Sequence, residues 1–498
     1  MDQRIRLRYS GLTFFASKAF SIVTGFIFVI AVTRNVSSYD FGVWQNIGDM
    51  VGYFVILSSV VPGWVTRYVA RDQENAATTG LLTNLAISIP FIVAWILLAP
   101  QFAKIAGAPG LYYVLACLMI LGTYLKPALE AIAQAKKPHL LGFDVVIHEL
   151  TMISLGIILV MVLRYGLLGA LVAVISSNFV DVLFYLVGLR GVIGRATNWG
   201  YLKSWLKSST ISVYGMIGEK LGATNMVLLL IYSGATARAY VGAAYAVALS
   251  ISYVSTLAVA LYPKLLAGGR GEDVETTLRL MFMFAIPMVA GTLVLAQPLL
   301  SILNPMYGVA APVLYLLAIS FLPYCLSIVL DTVLVGTERI DQTRFSMKDL
   351  VKSRLSLPAS LYYLHSAITL PLLWIVLTNL DPGPLDAAFY LVAIGFVSLP
   401  ISLTTKYVIA RKYVTFKLPL KNLTKYSVAS VIMAVVVLQL PVVPRISTIL
   451  PIVAFGGAVY FTVLLIIDTE TRALFRGVVT ELKKTKGLAS TEKKPIDL

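Results

Sequence analysis

Two lysines, Lys18 and Lys220, sit inside long apolar stretches of the sequence. An ammonium at the centre of a membrane-crossing helix costs about 2.5–3.5 kcal/mol on insertion scales, so such a charge usually faces a cavity or a partner. Polar side chains continue the face around each lysine. Ser17, Ser21 and Thr24 accompany Lys18 at helical spacing; Thr224 lies one turn beyond Lys220 and Asn225 adjoins it. Two ammonium groups facing one another among hydroxyls make an anion site, and a compact point charge suits phosphate. The competing reading is that each lysine is neutralised by a neighbouring acid, such as Glu219 beside Lys220, or reaches toward the headgroups.

Other charges lie deep as well: Asp49, Lys126, Asp144, His148, Glu149, Asp181, Glu219 and His365. Lys126 and Glu130 are four residues apart and can neutralise one another on one helix face. Asp331 has no lysine one turn before it; Leu326 and Ser327 occupy that region. Asp49, Glu130 and Asp331 are the candidates for holding a coupling monovalent cation. His139, His148 and His365 are scattered, without the spacing of a metal site. No G-x-x-x-x-G-K-[ST] stretch occurs, which argues against nucleotide hydrolysis. Gly268-Gly269-Arg270-Gly271 is glycine-rich but follows no strand. Neither a cofactor nor a catalytic residue is indicated, and the expectation is a protein that is not an enzyme.

The elements that carry these residues are apolar blocks. Hydrophobic residues make up 58% of the chain and charged residues 13%, against about 25% charged in soluble domains. The blocks run solidly for roughly 20 residues, the length of a membrane-crossing helix, rather than alternating as barrel strands do. The spans read as 11–33, 41–62, 80–99, 110–133, 140–163, 166–188, 209–232, 239–262, 278–302, 311–335, 360–379, 386–410, 424–443 and 447–467. The fold class is an all-α integral membrane protein with about fourteen transmembrane helices. The first block is too long for a signal-peptide core, so no cleaved signal is expected. Cys117 and Cys325 both lie in apolar blocks and indicate no disulfide framework. Asn35-Val36-Ser37 is a glycosylation sequon, set very close to the membrane.

Orientation follows from the basic residues. With the N-terminus cytoplasmic, the outer loops hold only Arg34, Lys104, Arg164, Arg238 and Arg445, while nearly all the remaining Lys and Arg fall inside. Both termini are then cytoplasmic, in a multi-pass protein of the cell membrane. The net charge of +16 thus reflects inner loops, and no nucleic-acid partner is expected.

Three matches recur at one offset. Phe41-Gly42 corresponds to Val241-Gly242 at 200 residues, Pro62 to Pro263 at 201, and Leu129-Glu130-Ala131 to Leu330-Asp331-Thr332 at 201. Spans one to six and seven to twelve therefore read as parallel six-helix repeats. The organisation is a lobe over 1–198, an interfacial linker helix over 199–208, a second lobe over 209–412, two extra helices within 413–468 and a basic tail over 469–498.

The stretch Val36-Ser37-Ser38-Tyr39-Asp40-Phe41-Gly42-Val43-Trp44 resembles the turn into the second helix of Wzx-type flippases. These form the polysaccharide-transport branch of the multidrug/oligosaccharidyl-lipid/polysaccharide exporter superfamily. Asn304-Pro305-Met306-Tyr307-Gly308-Val309-Ala310-Ala311-Pro312-Val313-Leu314, followed by a helix ending Val335-Gly336-Thr337-Glu338-Arg339, is similar to a second pattern of that family. The resemblance covers most of residues 1–412. It implies two lobes forming a V around a cavity. It also implies passage of a polyprenyl- or dolichyl-(pyro)phosphate-linked oligosaccharide to the outer leaflet. Family members often carry basic residues there, and Lys18 and Lys220 match that role by location, with Ser21, Thr24, Glu219, Thr224 and Asn225 around them. Two features depart from the pattern: a long 336–359 loop, whose Lys348, Lys352 and Arg354 suggest a headgroup-contacting helix, and the two helices past the twelve-helix core.

A flippase acting as a monomer, in contact with membrane lipids and driven by an ion gradient or by product consumption, is the leading expectation. A cation-coupled drug or metabolite antiporter would bind cationic cargo through acids, which lysines on the opening helices oppose. A membrane glycan polymerase or sugar transferase would need outer loops larger than the short ones here.

Overall fold

A computed structural model describes residues 20, 21, 23–266, 270–338, 353, 354, 356–473 and 476. Lys18, Lys348, Lys352 and the paired lysines near the C-terminus lie outside the described residues. The described chain is helical from end to end apart from short connections. In order, the helices are α1 (Val23–Asn35), α2 (Ser38–Phe54), α3 (Pro62–Ala70), α4 (Ala76–Ala106), α5 (Gly110–Lys136), α6 (His139–Gly156), α7 (Gly166–Gly188), α8 (Gly200–Ser208) and α9 (Thr210–Ser252). They continue with α10 (Leu261–Leu266), α11 (Gly271–Val294), α12 (Ala296–Leu303), α13 (Ala311–Gly336), α14 (Ser356–Leu380), α15 (Pro384–Tyr413), α16 (Leu420–Leu438) and α17 (Ile446–Ile467).

Local chemistry sets many of the boundaries. Ser37 caps α2 by accepting the Asp40 amide at 3.0 Å, which satisfies one of the donors a helix start leaves free. α6 runs on through a π-helical turn, Ile157–Val162, and stops where Arg164 and Gly166 take positive φ. α9 is broken at Gly234, with φ 79° and ψ 176°, a conformation that glycine alone adopts without strain.

The break at Gly234 reverses the chain. Gly42 of α2 lies so close to Ala235 that a Cβ there would overlap its carbonyl. Farther along α2, Gln45 lies against Gly242, Asp49 pairs with Arg238, Gly52 lies under the Lys220 ammonium, and Tyr53 bonds Thr224. Residues before and after Gly234 thus flank the same stretch of α2, so the two arms of α9 run back beside each other. Eleven described helices are long and apolar enough to cross a membrane, with α9 counted once. The fold-back adds one, and α1 and α2 bring the crossing helices to fourteen. Sequence placed Arg238 in an outer loop between spans seven and eight; it stands instead in the second arm of α9 and is buried. A one-residue reversal needs no loop, and charge counting cannot anticipate that.

Apolar packing groups the helices. One buried cluster draws only on residues 61–205, and another only on 254–464. The largest joins Phe28, Val32 and Phe41 to Ala243, Leu303 and Tyr307. α16 and α17 pair with one another and lie on α11, where the Tyr460 hydroxyl donates to the Met283 carbonyl at 2.7 Å. α8 buries Trp205 between Tyr68 and Tyr201, with ring centroids 5.4 and 5.7 Å away.

Candidate functional site

The two halves of the chain meet along α2 and the folded-back α9. α2 presents Asp49 and Gly52, three residues apart, toward α9, which is one helix stripe. Arg238 forms a forked pair with Asp49, Nε to Oδ2 at 2.6 Å and Nη2 to Oδ1 at 2.9 Å, and reaches Gln45 at 3.4 Å. The guanidinium fork matches a carboxylate in plane, which fixes both partners. Asp49 is therefore neutralised across the interface.

Toward the same end of the molecule, α1 closes against the second half. The Thr33 hydroxyl donates to the Leu303 carbonyl at 2.9 Å, Arg34 Nε to the Ile302 carbonyl at 2.8 Å, and Asn304 Nδ2 back to the Thr33 carbonyl at 2.9 Å. The rings of Phe41 and Tyr307 lie 5.9 Å apart beside them. The second sequence stretch singled out above, 304–314, thus begins at the contact between halves.

Lys220 lies deeper along this seam. A Cβ on Gly52 would come within 3.1 Å of the ammonium nitrogen, so the missing side chain makes room for the charge. Thr224, one turn on, shares a 3.0 Å hydrogen bond with Tyr53 of α2. Asn225 turns into the second half, donating to the Thr369 hydroxyl at 2.9 Å, and its buried Oδ1 has no hydrogen-bond partner. Glu219 is exposed and forms no ion pair with Lys220. Among the described residues the Lys220 ammonium has neither a carboxylate nor a hydrogen-bond acceptor in reach.

The polar face of the opening helix has another occupant. Ser21 donates to Glu149 Oε1, and Thr24 donates to Glu149 Oε2 at 2.6 Å. Glu149 belongs to α6, so this face serves the first half; Ser21 and Thr24 are not brought to Lys220.

The other deep charges gather into two sets. In the first half, Lys126 Nζ lies 2.6 Å from Asp181 Oδ2, 3.2 Å from Asp144 Oδ2 and 3.9 Å from Glu130. His148 Nδ1 lies 2.6 Å from the same Asp181 oxygen. The expected Lys126–Glu130 pair is the longest of these contacts. In the second half, Lys406 of α15 meets Asp331 Oδ2 at 2.7 Å and Ser327 Oγ at 2.7 Å. The cation that Asp331 lacked on its own helix comes from a helix 75 residues later. His365 shares a 2.7 Å hydrogen bond with Ser398. Among the described residues no cluster of metal-ligating side chains occurs. Arg354 of the long loop binds Glu338 at 3.1 Å and stacks 4.0 Å over Tyr413.

Sequence reasoning missed the partnerships of Arg238, Lys406 and Asp181. Lys406 falls near the end of its apolar block; its near-complete burial is a tertiary fact.

No family model matches the sequence, and no curated protein sequence matches it. Solved structures do match. The lipid II flippase MurJ in an inward closed conformation aligns with a TM-score of 0.68 at 14% identity, covering 93% of this chain and all of that one. An inward-facing multidrug resistance MATE family transporter of the MOP superfamily aligns at 0.60 and 14% identity, covering 79% of this chain and 95% of that one. A MOP superfamily transporter from Pyrococcus furiosus, described as having a binding pocket of reversed polarity, aligns at 0.51 and 14% identity, covering 82% and 95%. The chain has the fold of these transporters.

Proposed function

We propose that this protein is a flippase for a polyprenyl- or dolichyl-linked oligosaccharide, moving the phosphate-bearing headgroup between leaflets of the cell membrane. The observation that carries the reading is the state of Lys220. Lys126, Lys406 and Arg238 each have an acid against them. Among the described residues Lys220 has none, and it lies at the seam between halves, where a cargo would pass. An ammonium in that position keeps its charge for a ligand, and phosphate oxygen is the ligand it suits. The sugars would ride in the polar seam while the polyprenyl chain stays in lipid. Lys18, at the corresponding place in the opening helix by sequence, is the proposed second cation.

Alternating access follows from the same seam. Asp49–Arg238, Thr33–Leu303, Arg34–Ile302 and Asn304–Thr33 hold the halves together at one end. Positive-inside counting makes that end the outer one. Release there requires those contacts to part while others form at the cytoplasmic end.

The test is movement of a fluorescent polyprenyl diphosphate oligosaccharide in proteoliposomes. Wild-type protein moves it, and Lys220→Ala slows it at least about tenfold, the effect of losing roughly 1.4 kcal/mol of headgroup binding. Unchanged movement in the Lys18→Ala/Lys220→Ala double variant overturns the site. Efflux of cationic drugs without lipid movement would make the protein an antiporter instead.

A further inference from the structure

Beside Lys220, three tyrosines and a glutamate of the second half leave their polar atoms unused. Glu219 precedes the lysine on α9, so the two side chains leave the helix axis about 100° apart. Glu219 is exposed well inside the first arm of α9. Among the described residues it has no hydrogen bond and no ion pair. A carboxylate at that depth is costly against lipid, so the space it faces holds water.

Tyrosine rings line that space. Tyr324 lies within electrostatic reach of Glu219 and Tyr245, and Tyr362 within reach of Glu219 and Tyr324. Glu219 and Tyr245 come from the two arms of α9, Tyr324 from α13 and Tyr362 from α14. Arg238, Gly242 and Tyr245 fall at i, i+4 and i+7 on one stripe. The first two meet Asp49 and Gln45 of α2, so Tyr245 continues the face that borders the first half. Its ring stands 5.7 Å from that of Phe321, which meets Tyr324 edge-on at 5.6 Å. Phe321 is buried and sets the two outer rings.

The rings are offered rather than packed away. Tyr245, Tyr324 and Tyr362 are 42%, 42% and 41% exposed, and among the described residues none of their hydroxyls makes a hydrogen bond. Neighbouring tyrosines differ: Tyr53 bonds Thr224, Tyr363 donates to the Tyr214 carbonyl, and Tyr214 shares a bond with Ser360. Tyrosines of membrane proteins collect at headgroup level, yet Tyr324 stands midway along α13, out of that belt.

Flat rings edged by hydroxyls and a carboxylate suit a sugar. A pyranose has C–H groups on its faces, which stack on aromatic rings, and hydroxyls on its rim, which donate to a carboxylate. Rings beside an acid can also hold an organic cation. Here each acid near the rings has a cation at its side. Glu219 adjoins Lys220 in the chain, and Asp331 meets the Lys406 ammonium at 2.7 Å. An added cation would meet their repulsion, while a neutral sugar would not.

We propose that Tyr245, Tyr324 and Tyr362, with Glu219, form a sugar-binding platform on the second-half wall of the seam. The inference rests on the proposed flippase reading for its ligand. A diphosphate held at Lys220 leaves its first sugars one side-chain position away, over the rings. Lys220 then serves any polyprenyl phosphate, and the platform distinguishes the lipid that carries sugar.

Binding of paired lipids to the detergent-solubilised full chain tests this. Each pair is a short-chain polyprenyl diphosphate, bare or bearing a disaccharide, with hexose and N-acetylhexosamine disaccharides taken in turn. Wild type prefers at least one sugar-bearing lipid by about tenfold, the scale of two aromatic contacts. Tyr324→Leu/Tyr362→Leu closes that gap. Tyr324→Phe/Tyr362→Phe, which keeps the rings, retains most of it. Lys220→Ala weakens both members of a pair alike. Equal affinity of wild type for bare and sugar-bearing lipids across the set overturns the inference, and so does a leucine variant that keeps the gap. Tight binding of tetraphenylphosphonium that the leucine variant loses overturns it too, by making the platform a cation pocket. If the leucine variant does not fold, magnetisation transfer from the tyrosine ring protons of wild type decides. Transfer to the sugar C–H protons supports the platform, and transfer to the polyprenyl chain alone overturns it. Failure to bind any of these lipids, the bare one included, strikes the flippase reading and the platform with it. Binding without preference for sugar strikes the platform alone.

Discussion

In the first half, one lysine stands among three carboxylates and a histidine; in the second, one lysine meets one aspartate and one serine. Both sets cross-link helices inside an apolar body, but they are not equivalent. Lys406–Asp331 is electrically closed. The Lys406 side chain is 5% exposed, and Ser327 supplies a further acceptor. In the Lys126 set one ammonium is shared, among the described residues, by carboxylates of three helices; both sets leave a buried carboxylate oxygen without a hydrogen bond, Asp181 Oδ1 in the one and Asp331 Oδ1 in the other. A one-to-one pair holds two helices in register, while an ammonium shared among carboxylates of three helices ties all three together. Lys220 completes the contrast as a cation with no acid among the described residues.

Removing the cation from each set should separate them most strongly. Lys126→Met leaves Asp144 and Asp181 buried without their counter-charge, and the expected loss is about 3–5 kcal/mol. Thermal unfolding of the purified chain in detergent measures it, and the variant should be more stable at lower pH, where protons replace the ammonium.

Lys406→Met strands one aspartate whose side chain is 23% exposed, so the loss should sit near the lower end, about 3 kcal/mol. The Lys406→Met/Asp331→Asn double variant should recover most of it, because no charge is left unpaired. Failure of that recovery would mean the pair does more than neutralise itself.

The Asp49–Arg238 pair between the halves sharpens the comparison from outside either set. Asp49→Asn should destabilise the closed end by about 2 kcal/mol, within the range for losing one charged hydrogen-bond partner. Cysteine cross-linking between Thr33 and Leu303 variants would then form more slowly. The Asp49→Arg/Arg238→Asp exchange should restore it in part.

The smallest effect is expected at the C-terminal pair of helices. Burial tends to raise the Asp468 carboxyl, yet hydrogen bonds from the Thr471 hydroxyl and amide and from Lys425 outweigh it and hold the group below its ordinary value. A depressed carboxyl contributes stability above its unfolded value, and that contribution is lost as pH falls through the folded one. The loss is therefore confined to pH at and below the ordinary aspartate value of about 3.9. Asp468→Asn should cost about 1–2 kcal/mol at neutral pH and flatten the acid limb of the stability curve.

Much of the fold was legible because a bilayer imposes one strong rule on a sequence. Backbone groups must be satisfied within a helix, so block length alone separates α4, α5, α11 and α13. The reversal at Gly234 escaped because one glycine replaces the loop that charge counting assumes. Of the candidate site, the position of one charge was legible. A lysine in an apolar block is visible as a costly residue, and Lys220 proved to lie at the seam. Ser21 and Thr24 showed the helical spacing of a ligand face, but spacing cannot tell which neighbour that face meets, and they meet Glu149.

The sequence by itself determined which charges lie at depth, since that depends only on local hydrophobicity. It also marked Lys220 as a charge whose place needs a reason. The tertiary structure alone decided partnership. Lys126, Asp144, His148 and Asp181 come from three helices, and Lys406 reaches Asp331 across 75 positions. An ion pair is a matter of ångströms between side chains, and distance along a chain sets no limit on it once the helices pack.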